Sequence, residues 1–231
     1  MVLTIAALVT KILSAVYRVP FQNIVGDIGF YIYQQVYPFY GIAIALSTYG
    51  FPVIISKMVA EKLEEDDEEG AKNVAVTSFL FLCIVGVAWF LLVYFGSGVI
   101  ARWMGDPKLK PLLQMISLSF LLLAPLSIIR GYYQGKEDMV PTAVSQVTEQ
   151  TIRVGTILLF STILVSQGYS LYMTGNGALF GSITGGLGGL LVLLSFLTAR
   201  KEKLFSRKYF SLPVGYIQIW SRLLKNGTAT L

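Results

Sequence analysis

Apolar residues run almost unbroken through six stretches of the chain, roughly 2–23, 33–59, 73–95, 110–130, 141–166 and 177–199. Short connections carrying charge, glycine or proline separate them. A bilayer core about 30 Å thick takes about 20 apolar residues per crossing, and each stretch meets that length. Lipid offers the backbone no hydrogen-bond partners, so a crossing of this kind closes its own bonds as a helix. The pattern predicts an all-α, polytopic membrane protein: a six-helix transmembrane lobe over residues 1–199. A basic connection follows at 200–222, and a seventh apolar run starts at 223 and stops at 231. Six spans, a long basic connection and the start of another helix read as half of a larger protein.

Composition agrees. Hydrophobic residues make up 55% of the 231 and charged residues 13%, against about 25% charged in soluble domains. The net charge of +5 gains meaning only when mapped onto connections. Lys57, Lys62, Lys72, Arg130, Lys136, Arg200, Lys201, Lys203, Arg207, Lys208, Arg222 and Lys225 fall on one side, and Arg18, Arg102, Lys108 and Lys110 on the other. The positive-inside rule then puts the N-terminus and the even-numbered connections in the cytoplasm. Because these cations flank apolar spans, they read as topology signals drawn to anionic membrane lipids, not as a nucleic-acid surface. Histidine is absent and Cys83 is the one cysteine, which removes the commonest metal ligand and any intrachain disulfide. No catalytic constellation, metal site or cofactor motif is expected.

Two charges interrupt the first apolar run. Lys11 and Arg18 lie seven residues apart, nearly two helical turns, so they share one face about 10 Å apart along the axis. A cation at mid-membrane costs roughly 2.5–3.5 kcal/mol on insertion scales, so such a stripe is expected to face a watery cavity and something anionic. In the second stretch Gln34, Gly41 and Thr48 recur every seven residues, a stripe that either lines the same cavity or permits close packing. The tight turn Gly26-Asp27-Ile28-Gly29 precedes Phe30, Tyr31, Tyr33, Tyr37, Phe39 and Tyr40. That cluster suits an aromatic belt at the membrane–water interface, with sugar stacking as the alternative.

The fifth stretch holds Gln146, Glu149, Gln150 and Arg153. Glu149 and Arg153, four apart, are expected to pair on one helix face, as a structural lock or a substrate contact. In the sixth, Gly181, Gly185 and Gly189 form two overlapping GxxxG steps, a close-packing face for a neighbouring helix. The same glycines are not a phosphate loop, because no strand precedes them and no P-loop lysine comes after.

Several blocks together carry a family likeness: Lys11-Ile12-Leu13 through Tyr17-Arg18-Val19-Pro20, Gly26-Asp27 through Tyr37-Pro38, Ser47-Thr48-Tyr49-Gly50-Phe51-Pro52, and Arg130-Gly131-Tyr132-Tyr133-Gln134-Gly135 with Pro141-Thr142. The chain resembles the polysaccharide-biosynthesis proteins of the stage V sporulation protein B type, within the multidrug/oligosaccharidyl-lipid/polysaccharide (MOP) exporter superfamily that also holds the MurJ-type lipid II flippases. The resemblance implies the N-terminal lobe of a two-lobe transporter of the bacterial cytoplasmic membrane, with the C-terminal lobe as its missing partner. It implies a lipid-linked oligosaccharide as substrate, carried by alternating access without covalent chemistry. Lys11 and Arg18 would meet the pyrophosphate, and Gln34, Thr48, Gln146, Glu149 and Arg153 are candidates to line the cavity. A cation or drug antiporter of the same superfamily and a non-transporting fragment or scaffold are the alternatives.

Overall fold

The computed structural model describes residues 1–202, 204–205 and 219–223. Most of the basic connection expected at 200–222, and the seventh helix expected at 223–231 apart from Leu223, lie outside these residues. Among the described residues the structure is helical, in the order α1 (Val2–Val16), α2 (Arg18–Ala45), α3 (Phe51–Glu64), α4 (Glu68–Trp103), α5 (Lys110–Ser117), α6 (Leu123–Gly135), α7 (Val140–Ser166) and α8 (Leu171–Ala199).

These elements stack into six membrane-length rods. α1 runs into α2 with only Tyr17 between them, and the rod ends at Gly26, where φ is 71° and ψ 176°. That region of backbone space is essentially closed to side chains, so a glycine makes the turn from the first rod to the second. The second rod continues through a π-helical turn, Leu46–Gly50, into α3. Pro52 explains the wide turn: it has no N–H to bond one turn back, and its ring crowds the carbonyl of Thr48. α5 and α6 form another rod, joined by a 3₁₀ segment at Leu118–Leu122.

Val2–Glu64, Glu68–Trp103, Pro107–Gly135 and Leu171–Ala199 are each apolar and long enough to cross a membrane, the first holding two rods. α7 has the length, 27 residues, yet carries Ser145, Glu149, Gln150 and Arg153 in its buried face. A polar helix of this kind must be sheltered by its neighbours. α8 provides the shelter along one side: a Cβ at Gly181 would stand 2.9 Å from the Arg153 carbonyl, and one at Gly185 2.6 Å from that of Glu149. At Gly189 it would stand 3.2 Å from that of Ser145. The glycine stripe lets α8 lie directly on the backbone of α7.

Two apolar clusters form the core. One joins α3, α4 and α6 around Ile55, Val59, Leu82 and Ile129. The other joins the first two rods with α5, α7 and α8 around Phe21, Tyr33, Leu112 and Ile157. Residues 219–223 pack back on the first cluster, where the Trp220 ring lies 5.6 Å from Phe81 and Arg222 pairs with Glu61 at 2.7 Å.

Candidate functional site

The buried faces of α6 and α7 meet over a charged centre. Arg130 is fully buried and Glu149 is 6% exposed. Arg130 Nη2 donates to Glu149 Oε2 at 2.6 Å and to Ser145 Oγ at 2.9 Å, and its Nη1 donates to Thr48 Oγ1 at 3.2 Å. Ser145 passes the chain on by donating to the Gly189 carbonyl at 3.0 Å. Charge-assisted bonds of this length are among the stronger ones available to a protein. Thr142 Oγ1 donates to the Arg130 carbonyl at 3.4 Å. The π turn places Thr48 here, since an extra residue in one turn rotates the side chains beyond it. Thr48 is therefore buried against Arg130 while Gln34 stays exposed, and the seven-residue stripe does not present a single face.

Glu149 and Arg153 do not pair with one another, contrary to the expectation from their spacing. Arg130 reaches across from α6 to occupy the carboxylate, so Arg153 turns to aromatic rings instead. By sequence Arg130 reads as a cytoplasmic flanking charge; it belongs to the interior, leaving eleven basic residues against four in the topology count.

Arg153 is 1% exposed and has no carboxylate within ion-pair distance among the described residues. Its guanidinium carbon lies 4.9 Å from the Tyr40 ring and 5.9 Å from the Tyr17 ring, positions in which the ring quadrupole attracts a cation. Tyr17, Phe21, Tyr33, Tyr37 and Tyr40 continue as a run of ring contacts with centroids 4.9–6.5 Å apart. Tyr17, Tyr33 and Tyr40 are buried. Of the aromatic cluster expected as an interface belt, Tyr33 and Tyr40 are instead core around an arginine, Phe30, Tyr37 and Phe39 are half-buried, and Tyr31 is exposed.

α1 rests on this centre. Ala6, Thr10, Ser14, Tyr17 and Phe21 recur every three or four residues as the packed stripe of the first rod. Gln150 Nε2 and Arg153 Nη2 both donate to Ser14 Oγ, at 2.6 and 3.4 Å. Lys11 is next to Thr10 and Arg18 next to Tyr17, so each lies about 100° around the helix from that stripe. Both are exposed and neither is in an ion pair among the described residues. They separate the packed stripe from an exposed apolar one made of Ile5, Leu8, Ile12, Val16 and Val19.

Thr10, Ile44, Thr48, Gln146, Glu149 and Gln150 line a partly open cavity of about 40 Å³, enough for water. The structure thus gathers Thr48, Gln146 and Glu149 at one cavity, sets Arg153 behind Ser14 on the α1–α7 seam, and leaves Gln34 apart. Ser14 and Ser145 are members the sequence did not offer as site residues, Arg130 figured there as a flanking charge, and Gln150 only as a polar neighbour of Glu149. Nothing in the sequence pointed to Arg130, because Arg153 one turn away already answered the need of Glu149 for a cation.

Comparison with known proteins places this architecture. The family model described as polysaccharide biosynthesis protein matches residues 1–224. The chain belongs to that family. Among curated proteins of Bacillus subtilis (strain 168) it is 50% identical over 192 residues to the uncharacterized membrane protein YabM, covering 83% of this chain and 35% of that one. It is 33% identical to stage V sporulation protein B over 213 residues, covering 91% and 40%. With lipid II flippase MurJ the identity is 30% over 216 residues, covering 89% and 40%. The chain therefore spans 35–40% of the length of these relatives.

Among solved structures, a MATE in the bent conformation superposes with a TM-score of 0.78 at 19% identity, over 99% of this chain and 51% of that one. A MOP superfamily transporter from Pyrococcus furiosus gives 0.74 at 19% identity, over 99% and 50%. The fold is one six-helix lobe of a MOP-type transporter.

Proposed function

We propose that the chain is the N-terminal half of a flippase for a lipid-linked cell-wall precursor, an undecaprenyl-pyrophosphate oligosaccharide such as lipid II. The observation that carries this reading is the pair of exposed cations on the first rod, Lys11 of α1 and Arg18 at the start of α2, free of ion pairs among the described residues. A pyrophosphate entering from the cytoplasmic leaflet would be balanced by them while its lipid tail stays in the bilayer. The likeness to a protein named lipid II flippase, at 30% identity over most of this chain, supports the same substrate class.

Transport would proceed by alternating access, one lobe rocking against the other around the headgroup. The work is binding and release, with no bond made or broken, so the protein is not an enzyme in this reading. Gln146 offers an uncharged hydrogen-bonding group at the cavity, Thr48 is held there by Arg130, and the Arg130–Glu149 pair ties α6 to α7; Gln34 lies apart and is not part of this site. The protein would lie in the bacterial cytoplasmic membrane with its N-terminus inside, as the basic residues of the even connections require. A cation or drug antiporter is less well supported. It needs a free carboxylate in the membrane, whereas Glu149 is taken by Arg130 and Asp27 accepts from Gln22 at 2.7 Å.

Movement of fluorescent lipid II in proteoliposomes, with the chain in its complete reading frame, tests the reading. Wild type should transport, and Lys11→Ala and Arg18→Ala should each lose most of the rate. Equal transport by all three would reject the site, and no transport by any would reject the flippase reading.

A further inference from the structure

Ser14 Oγ is one small hydroxyl that receives two strong donors, Gln150 Nε2 at 2.6 Å and Arg153 Nη2 at 3.4 Å. The second bond is long for a guanidinium. Among the described residues Arg153 Nε and Nη1 have no acceptor in good hydrogen-bond geometry, although the Tyr40 hydroxyl lies near enough to interact with the guanidinium. A guanidinium presents five donors and carries a full charge, so a buried one met only by neutral hydroxyls and two ring faces is under-satisfied. The nearest membrane carboxylate, Glu149 on the same helix, is bound to Arg130. With two buried arginines and one glutamate, this centre holds one positive charge in excess.

The position of that excess matters. Ser14 comes three residues after Lys11 and four before Arg18, so all three side chains emerge on neighbouring positions of one helical flank. Ser14 is only half-buried and α1 packs chiefly on α7, so the seam opens beside the two exposed cations. An anionic oxygen replacing the Ser14 hydroxyl would accept from Gln150 and Arg153 with charge assistance that a hydroxyl lacks.

We propose that the Gln150–Arg153 edge of α7 is a second phosphoryl-binding position behind Lys11 and Arg18, occupied in this state by the Ser14 hydroxyl as a stand-in for a phosphoryl oxygen. The first pair attracts the diphosphate, and Arg153 takes one of its oxygens when Ser14 yields. The inference rests on the flippase reading and adds to it a specificity: two phosphoryl groups reach both positions and one does not.

The test is binding of undecaprenyl pyrophosphate, undecaprenyl phosphate and inorganic pyrophosphate to the purified chain in phosphatidylcholine nanodiscs. Wild type should prefer undecaprenyl pyrophosphate to undecaprenyl phosphate by about tenfold, a difference of about 1.4 kcal/mol. Weak binding of the free diphosphate beside tight binding of the lipid form would add a tail contribution and leave the preference between the two lipids as the deciding measure. Ser14→Ala removes the competing acceptor without charge and should tighten diphosphate binding severalfold. Arg153→Gln should abolish both the preference and the gain from Ser14→Ala, whereas Arg153→Lys should keep part of each. If Arg153→Gln does not fold, Ser14→Ala decides alone. Unchanged or weaker binding by Ser14→Ala overturns the proposal. Loss of binding in Lys11→Gln/Arg18→Gln with no effect of Ser14 or Arg153 variants overturns it while sparing the flippase reading. No binding by the wild type overturns both.

Discussion

Replacing Glu149 by glutamine keeps the shape of the side chain and removes its charge, leaving Arg130 buried beside two hydroxyls, those of Thr48 and Ser145. Across 2.6 Å, the Coulomb attraction at an effective dielectric of about 20 is about 6 kcal/mol. Removing both ions from water offsets most of that, at several kcal/mol per ion. The intact pair is therefore worth little more than an apolar contact of the same volume. Breaking it from one side is different, because the remaining charge keeps its desolvation cost and loses its partner, a loss of about 3–5 kcal/mol.

A chain of this size changes melting temperature by about 2–4 °C per kcal/mol. Glu149→Gln and Arg130→Met should thus each melt about 6–20 °C below wild type. The double variant Arg130→Met/Glu149→Leu should lie closer to wild type than either single one. Thermal unfolding in detergent can be followed by a thiol-reactive dye, because half-buried Cys83 is the one thiol. Single variants within about 1 kcal/mol of wild type, or losses that simply add in the double variant, would refute the reasoning.

Gly185→Val should destabilise by about 1–3 kcal/mol, since a side chain there meets the Glu149 carbonyl at 2.6 Å; Gly155→Ala, inside α7 with nothing within 4 Å, should instead raise the melting temperature slightly, by the roughly 0.5–1 kcal/mol that alanine gains over glycine in a helix. Gly26→Ala should also lower it, by about 1–3 kcal/mol of backbone strain, although its Cβ would enter open space; an unchanged melt would refute the positive φ at this turn. Just beyond the C-terminal ends of α6 and α8, Glu202 pairs with Lys136 and accepts from Tyr132 Oη at 3.1 Å. Partial burial pushes the Glu202 carboxyl up, but the bonds and charge of Lys136 outweigh it and hold the group below its ordinary value. A lowered carboxyl stabilises the fold above its unfolded value and loses that contribution as pH falls through the folded one. Lys136→Gln should therefore melt below wild type at pH 7 and converge with it below about pH 4; a constant gap across that window would remove the pairing from the account.

Local features were readable because their energies are local. Gly26 announces a turn by lacking a Cβ, and the stripe of Gly181, Gly185 and Gly189 announces a close approach for the same reason. The surface that the stripe approaches was not readable: nothing in residues 177–199 says that the backbone of Glu149 and Arg153 lies against it. The pairing of Glu149 shows the same limit. Spacing favoured Arg153, one turn away on the same helix, whereas Arg130 lies nineteen residues back on α6 and wins because the α6–α7 connection folds it inward. Thr48 looked like a member of a regular polar stripe until the π turn before Pro52 rotated it toward Arg130.

The sequence alone determined that this chain is a bundle of membrane-crossing helices and where two cations sit along the first of them. Those properties arise from the transfer of successive side chains between water and lipid, a sum taken along the chain. Only the tertiary structure decided which buried charges meet, which aromatic rings enclose Arg153, and that Ser14 stands between it and the exposed flank. Such contacts depend on where helices distant in sequence cross and how each is rotated, and a single turn of altered pitch changes them without any change in hydrophobic pattern.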